Sequence, residues 1–154
     1  MKAAKDDLIA AIERAWANTP RPPEGGTTSA PKEYDDSAEM EQVLGGRHWR
    51  ELPHETIFAW RLDLSLLSPE GLRFYLPAWL LAALEDTEIR AFLFSYFEVA
   101  IRDGTLAKAL PRFSEEERGA LRAYFEYMAA SPDQLVAPDP EDWRTLAAAV
   151  PATG

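Results

Sequence analysis

The two histidines are the first residues of this sequence that suggest chemistry. His48 and His54 lie six positions apart, and Glu51 and Glu55 could add carboxylates, so a site for zinc or a similar ion is conceivable. Pro53 breaks the helix that would align the two imidazoles, and the spacing is not that of the HExxH motif. Because the chain also has no cysteine, we expect neither a bound metal nor a cofactor.

Other catalytic signatures are missing from the sequence. Glu85 and Asp86 form a further acidic pair, but general acid–base catalysis needs a cleft and perturbed pKa values. Ser68 and Ser114 occupy predicted helix caps, and no G-x-S-x-G motif, P-loop or G-x-G-x-x-G loop occurs. We therefore predict no catalytic residue, and we keep an enzyme of unrecognised type or a small-molecule-binding protein as the alternative.

Several large side chains are candidates for binding a protein partner. Arginine, tyrosine and tryptophan are enriched at interface hot spots, and these types recur around one predicted helix. The candidate residues are Trp49, Glu51, Arg73, Tyr75 and Trp79. Burial of the aromatic rings in a helical core is the competing interpretation, since the chain has five tryptophans.

The charge balance predicts the chemistry of such a partner. The chain has 16 basic and 26 acidic residues and a formal net charge of −10, which argues against binding to a phosphate backbone. Acidic residues are dense from Glu33 to Glu41 and again near the C-terminus. We expect Glu39 and Glu41 to help dock a basic protein by electrostatic steering, as an immunity-like inhibitor would. A plain solubility surface is the alternative.

One block of the sequence is similar to a known group of proteins. The run Leu67-Ser68-Pro69-Glu70-Gly71-Leu72-Arg73-Phe74-Tyr75-Leu76-Pro77-Ala78-Trp79-Leu80, preceded by Trp49-Arg50-Glu51-Leu52, resembles a block shared by uncharacterised bacterial helical proteins. The resemblance extends from about Trp49 to Met128. It implies an α-helical fold and a bacterial source, and it implies no activity.

Helical spacing and cap residues predict an all-α fold, a compact single-domain bundle of about five to seven helices over residues 1–154. A central helix should begin after Ser68 and be kinked at Pro77, and Thr87 should cap the next helix. The stretch 55–66 is ambiguous and is assigned as helix. Residues 19–35 are rich in proline and glycine and are predicted to form a flexible loop.

The sequence also predicts a location. The N-terminus has no apolar core of the length that a signal peptide needs. The longest uncharged apolar stretch, Phe74 to Leu84, contains Pro77 and falls short of the roughly 18–20 residues that span a bilayer. We expect the protein to be cytoplasmic.

Overall fold

The computed structural model describes residues 2–29, 35–130 and 139–151, and it confirms the all-α prediction. Within these ranges the only extended pairing is one isolated bridge between Thr28 and Leu67. Eight α-helices are described: α1 (Lys2–Ala15), α2 (Asp35–Leu44), α3 (His54–Ala59), α4 (Pro69–Glu85), α5 (Thr87–Arg102), α6 (Thr105–Ala109), α7 (Glu115–Ala130) and α8 (Pro140–Ala148). None of these helices is long and apolar enough to cross a membrane.

The helices group into two compact units, and the prediction of a single domain stays a prediction. The first unit comprises Met1–Asn18 and Phe97–Gly154. In it α7 packs against both α1 and α8. The contact with α8 includes Trp143, whose ring packs against the rings of Tyr124 and Phe125. The reciprocal capping box between Ser114 and Glu117, predicted from the sequence, begins α7.

The second unit, Thr19–Tyr96, is centred on α4. Its apolar residues surround the helix axis, so the helix is buried on most sides, as the sequence predicted. Ser68 caps α4 by accepting a hydrogen bond from the Gly71 amide at 2.9 Å, and Pro69 follows at the first helical position. The helix continues through Pro77 to Glu85, and the kink at Pro77 stays a prediction.

The segment before α2 is tied to its surroundings. Residues 19–29 belong to the predicted flexible loop, but Thr27 and Thr28 are buried. The carboxylate of Glu41 accepts hydrogen bonds from the Thr28 amide at 2.9 Å and the Thr27 amide at 3.3 Å, and the Ser68 hydroxyl donates to the Gly26 carbonyl at 2.5 Å. We describe residues 26–29 as the docked segment. Residues 30–34 of the predicted loop lie outside the described residues.

Gly71 permits this docking. The Thr27 carbonyl oxygen lies where a Cβ at position 71 would be, so any side chain there would overlap the backbone of the docked segment. Position 71 therefore requires glycine because there is no space for a side chain. The backbone conformation does not require it, since Gly71 lies in the first turn of an ordinary helix without a positive φ.

Two local predictions differ from the structure, and the eight described helices exceed the predicted five to seven. Asp86, rather than Thr87, caps α5, because its Oδ1 accepts hydrogen bonds from the amides of Glu88 and Ile89. The ambiguous stretch 55–66 divides into α3 and a short 3-10 turn at Leu64–Leu66. The additional helix α6 has five residues, too few to produce a periodic apolar pattern.

Alanine substitutions at two helical glycines distinguish two effects on stability, the steric effect of a close backbone contact and the effect of helix propensity. Gly71→Ala should lower the free energy of unfolding by about 1–3 kcal/mol, because the added methyl displaces the docked segment. Gly119→Ala in α7, where a Cβ meets nothing within 4 Å, should raise it by about 0.5–1 kcal/mol. Urea denaturation measures both, and equal effects of the two substitutions would contradict this account.

Candidate functional site

The predicted aromatic binding residues lie in the interior. Trp49 is 2% exposed, Tyr75 is 1% exposed and Trp79 is fully buried, whereas Arg73 is half-buried. The three rings therefore do not form an exposed surface with Arg73, which corrects that prediction. The physical reason is that α4 buries apolar area around its whole circumference, and this burial is the alternative that the sequence also allowed.

Tyr75 has a structural contact rather than a free hydroxyl. Its phenol oxygen lies 2.5 Å from the Leu44 carbonyl and 2.7 Å from the Arg47 carbonyl, so α4 is joined to the C-terminal end of α2. Burial raises the pKa of Tyr75 to about 12, against the opposing effect of the Arg21 charge. The phenol stays protonated at neutral pH and shares its one hydrogen between these two carbonyl oxygens.

Glu51 and His48 complete a cap. The Glu51 carboxylate accepts a hydrogen bond from the His48 amide at 2.7 Å, and the His48 Nδ1 accepts one from the Arg50 amide at 3.1 Å. This reciprocal pair begins a short 3-10 turn, Trp49–Glu51. Burial, followed by the charges of Arg21 and Arg50, lowers the pKa of His48. Glu51 remains exposed, but its carboxylate already serves this cap.

His54 has a different partner. Its Nε2 lies 2.9 Å from Asp86 Oδ2, which joins the start of α3 to the cap of α5. Burial acts to raise the pKa of Asp86, but the hydrogen bonds from the Ile89 amide, His54 and the Glu88 amide outweigh it, and the pKa lies below its usual range. In the part of the chain that the structure describes, no group of three His, Asp or Glu side chains could hold a metal ion.

The two predicted acidic binding residues have different environments. Glu41 is half-buried and holds the docked segment through Thr27 and Thr28, so its carboxylate already has internal partners, and its role in docking a partner stays a prediction. Glu39 is exposed on α2. Glu33 and Asp133 of the two acidic clusters lie outside the described residues.

Glu39 belongs to a surface that the sequence analysis did not identify. Asp36 lies three positions before Glu39 on α2, so both side chains share one face. Burial raises the pKa of Asp63, and the charge of Asp36 acts in the same direction. Leu62, beside Asp63, is 59% exposed. We call Asp36, Glu39, Leu62 and Asp63 the acidic surface.

The acidic surface could not be found from the sequence because residues 55–66 were treated as one helix. The chain instead turns after α3, and Leu62 in this turn is exposed. Over the described ranges, no cation lies within ion-pair distance of the three carboxylates. Arg61 cannot neutralise them, because its guanidinium binds Glu88 at 2.9 Å and lies over the Phe58 ring.

A cavity of about 590 Å³ opens at the C-terminal end of α2. Arg21 and Arg47 line it, together with Glu41 and Tyr75. Arg21 donates to the Gly46 carbonyl at 3.0 Å and Arg47 to the Val43 carbonyl at 3.4 Å. The positive charges therefore complement the negative end of α2.

The comparisons with known proteins give one match. A family model described as a family of unknown function (DUF6714) matches residues 4–144. No curated protein and no solved structure matches the chain.

The contact between His54 and Asp86 gives the stability a predictable pH dependence. Because the folded-state pKa of Asp86 is depressed, its charge stabilises the fold above the unfolded pKa of about 3.9, and this contribution is lost as the pH falls through the folded pKa. Asp86→Asn keeps a side-chain cap and should be less stable than the wild type at pH 6, with the difference vanishing towards pH 2. Urea denaturation at both pH values measures this, and a difference that persists at pH 2 would contradict it.

Proposed function

We propose that this chain, which belongs to the family of unknown function DUF6714, is a non-enzymatic protein-binding module whose acidic surface docks a basic protein. Inhibition or neutralisation of that partner is the proposed outcome of docking. The proposed setting is the bacterial cytoplasm. The observations that carry the proposal are the exposed Leu62 directly before Asp63 and the exposed carboxylates of Asp36 and Glu39 on one face of α2.

The electrostatics of the surface favour a cationic partner. Burial raises the pKa of Asp63, and repulsion from the like charge of Asp36 raises it further. A lysine or arginine from a partner would relieve the repulsion between these carboxylates. This relief would favour the bound state over the free protein. The net charge of −10 acts in the same direction over longer distances by attracting a basic protein and accelerating its encounter.

Leu62 supplies the apolar contact that an electrostatic surface lacks. Large apolar side chains this exposed are few among the described residues, where Leu62 and Val99 are the two examples. Protein interfaces combine an apolar centre with a polar rim, and Leu62 is directly followed by the acidic Asp63. This arrangement supports an interface with one apolar anchor and charged surroundings.

Affinity capture with matched baits tests the proposal. The wild-type chain, immobilised at about 50 mM salt, should retain a basic protein from a lysate of the source organism. Leu62→Ser and Glu39→Lys baits should lose it, because each removes one component of the acidic surface. Raising the salt to about 500 mM should also release it, since exposed charges are then screened.

Two baits with equivalent changes elsewhere serve as controls. Glu126→Lys makes the same charge reversal at an exposed position of α7, and Val99→Ser removes the other exposed apolar side chain. Both should retain the partner. Retention by all five baits would show that the partner does not bind this surface. Equal loss with Glu39→Lys and Glu126→Lys would show that net charge causes binding, and either outcome would refute the proposal.

The cavity at the end of α2 favours a second candidate function, the binding of an anionic small molecule. Its volume of about 590 Å³ lies within the range of ligand pockets. Arg21 and Arg47 present guanidinium groups that use backbone carbonyls as partners, and arginine recognises phosphate and carboxylate groups by paired hydrogen bonds.

Titration with pyrophosphate tests this second function. Arg21→Gln and Arg47→Gln should each weaken binding by about tenfold or more, because each removes a charge-assisted hydrogen bond. Arg102→Gln, at an exposed position outside the cavity lining, should leave affinity unchanged. Calorimetry that detects no binding, or an equal loss with Arg102→Gln, would exclude the second function while leaving the protein-binding proposal intact.

A further inference from the structure

A buried arginine in the first unit has an unused donor. Arg118 of α7 is 5% exposed, and its Nη1 donates to the Phe113 carbonyl at 2.5 Å and more weakly to the Leu110 carbonyl at 3.4 Å. Its Nε has no hydrogen-bond partner in the described part of the chain. Since arginine remains charged at any physiological pH, a buried guanidinium with an unsatisfied donor is costly unless an acceptor completes it.

No carboxylate of the protein supplies that acceptor among the described residues. The neighbouring Glu117 is buried, but its Oε1 accepts from the Ser114 amide in the capping box of α7. Adjacent residues of a helix do not face each other, and Arg118 takes part in no ion pair within those ranges. Among the residues that the structure describes, the hydrogen-bond acceptors of the Arg118 guanidinium are two backbone carbonyl oxygens.

Arg118 also lines a cavity of about 400 Å³. The other lining residues are apolar and come from the α6 region and from the end of α8, among them Leu110, Pro111, Ala148 and Ala149. The cavity is of ligand size, and Arg118 is its one charged lining residue within the described chain.

A second arginine lies next to this region. Arg122 is one helical turn after Arg118 on α7, and its Nη2 hydrogen-bonds to the Val150 carbonyl. Val150 directly precedes Pro151, which lines the cavity. A second positive charge therefore lies near the cavity lining, although the whole chain is strongly acidic.

We propose that this cavity binds a small amphipathic carboxylate, whose carboxylate group accepts a hydrogen bond from Arg118 Nε while its apolar part lies against Leu110 and Pro111. A carboxylate fits because it carries a single charge and matches the planar guanidinium edge formed by Nε and Nη2. A phosphate would carry more charge into an apolar lining, at a larger desolvation cost. An uncharged ligand would leave the charge of Arg118 without an anion.

Titration of the full chain with octanoate tests the inference, with acetate and octan-1-ol as probes that lack the apolar chain or the charge. Octanoate should bind about tenfold or more tightly than either, because each control omits one of the two interactions. In ¹H–¹⁵N spectra of arginine side chains, the Nε–H resonance of Arg118 should shift downfield with octanoate only. Equal affinities for octanoate and octan-1-ol, or an unchanged Arg118 resonance, would overturn the proposal.

Two variants complete the test. Arg118→Lys keeps the charge but loses the Nε donor, so octanoate affinity should fall by about tenfold. Because this substitution also disturbs the contacts to Leu110 and Phe113, Ala148→Phe provides a variant that fills the cavity and leaves Arg118 in place. Ala148→Phe should abolish octanoate binding, whereas Ala91→Phe, at an exposed position outside the lining, should not. Unchanged binding to Ala148→Phe would show that the cavity is not the site.

Discussion

The approach of the Thr27 carbonyl to the backbone of Gly71 is the constraint on which the second unit depends. One serine hydroxyl serves both sides of this contact: Ser68 Oγ accepts from the Gly71 amide and donates to the Gly26 carbonyl. The docked segment then offers its amides to Glu41, which holds α2. The position of Asp36 and Glu39 therefore depends on a glycine in another helix.

Local features could be predicted from the sequence, and contacts between distant residues could not. Ser68 and Ser114 were identified as caps because a cap and its partner amide lie three positions apart. The contact between Tyr75 and Leu44 spans 31 positions, and no periodicity indicates it. Composition suggested a flexible loop at residues 19–35 because proline and glycine are frequent there, but it could not show that Glu41 would accept the amides of Thr27 and Thr28.

The acidic cluster is evident from the sequence, but the separate environments of its residues depend on contacts between distant parts of the chain. Glu39 and Glu41 are chemically identical and two positions apart, so they lie on different faces of α2. One faces solvent and the other faces the docked segment. Likewise, the aromatic residues near α4 have the types found at interfaces, yet Trp79 is fully buried. Residue type predicts what a side chain can contact, whereas its face of the helix decides what it does contact.

The indoles of Trp49 and Trp79 give the second unit a distinct optical property. Both rings are buried, and neither Nε1–H has a hydrogen-bond partner in the described part of the chain, although buried tryptophans usually find one. An excited indole in such surroundings has no water to reorient around its enlarged dipole, so it emits at short wavelength. Trp143 instead packs against Tyr124 and Phe125 in the first unit. Replacing Trp16 and Trp143 together with phenylalanine would confine tryptophan fluorescence to the second unit, so that its unfolding can be followed by itself.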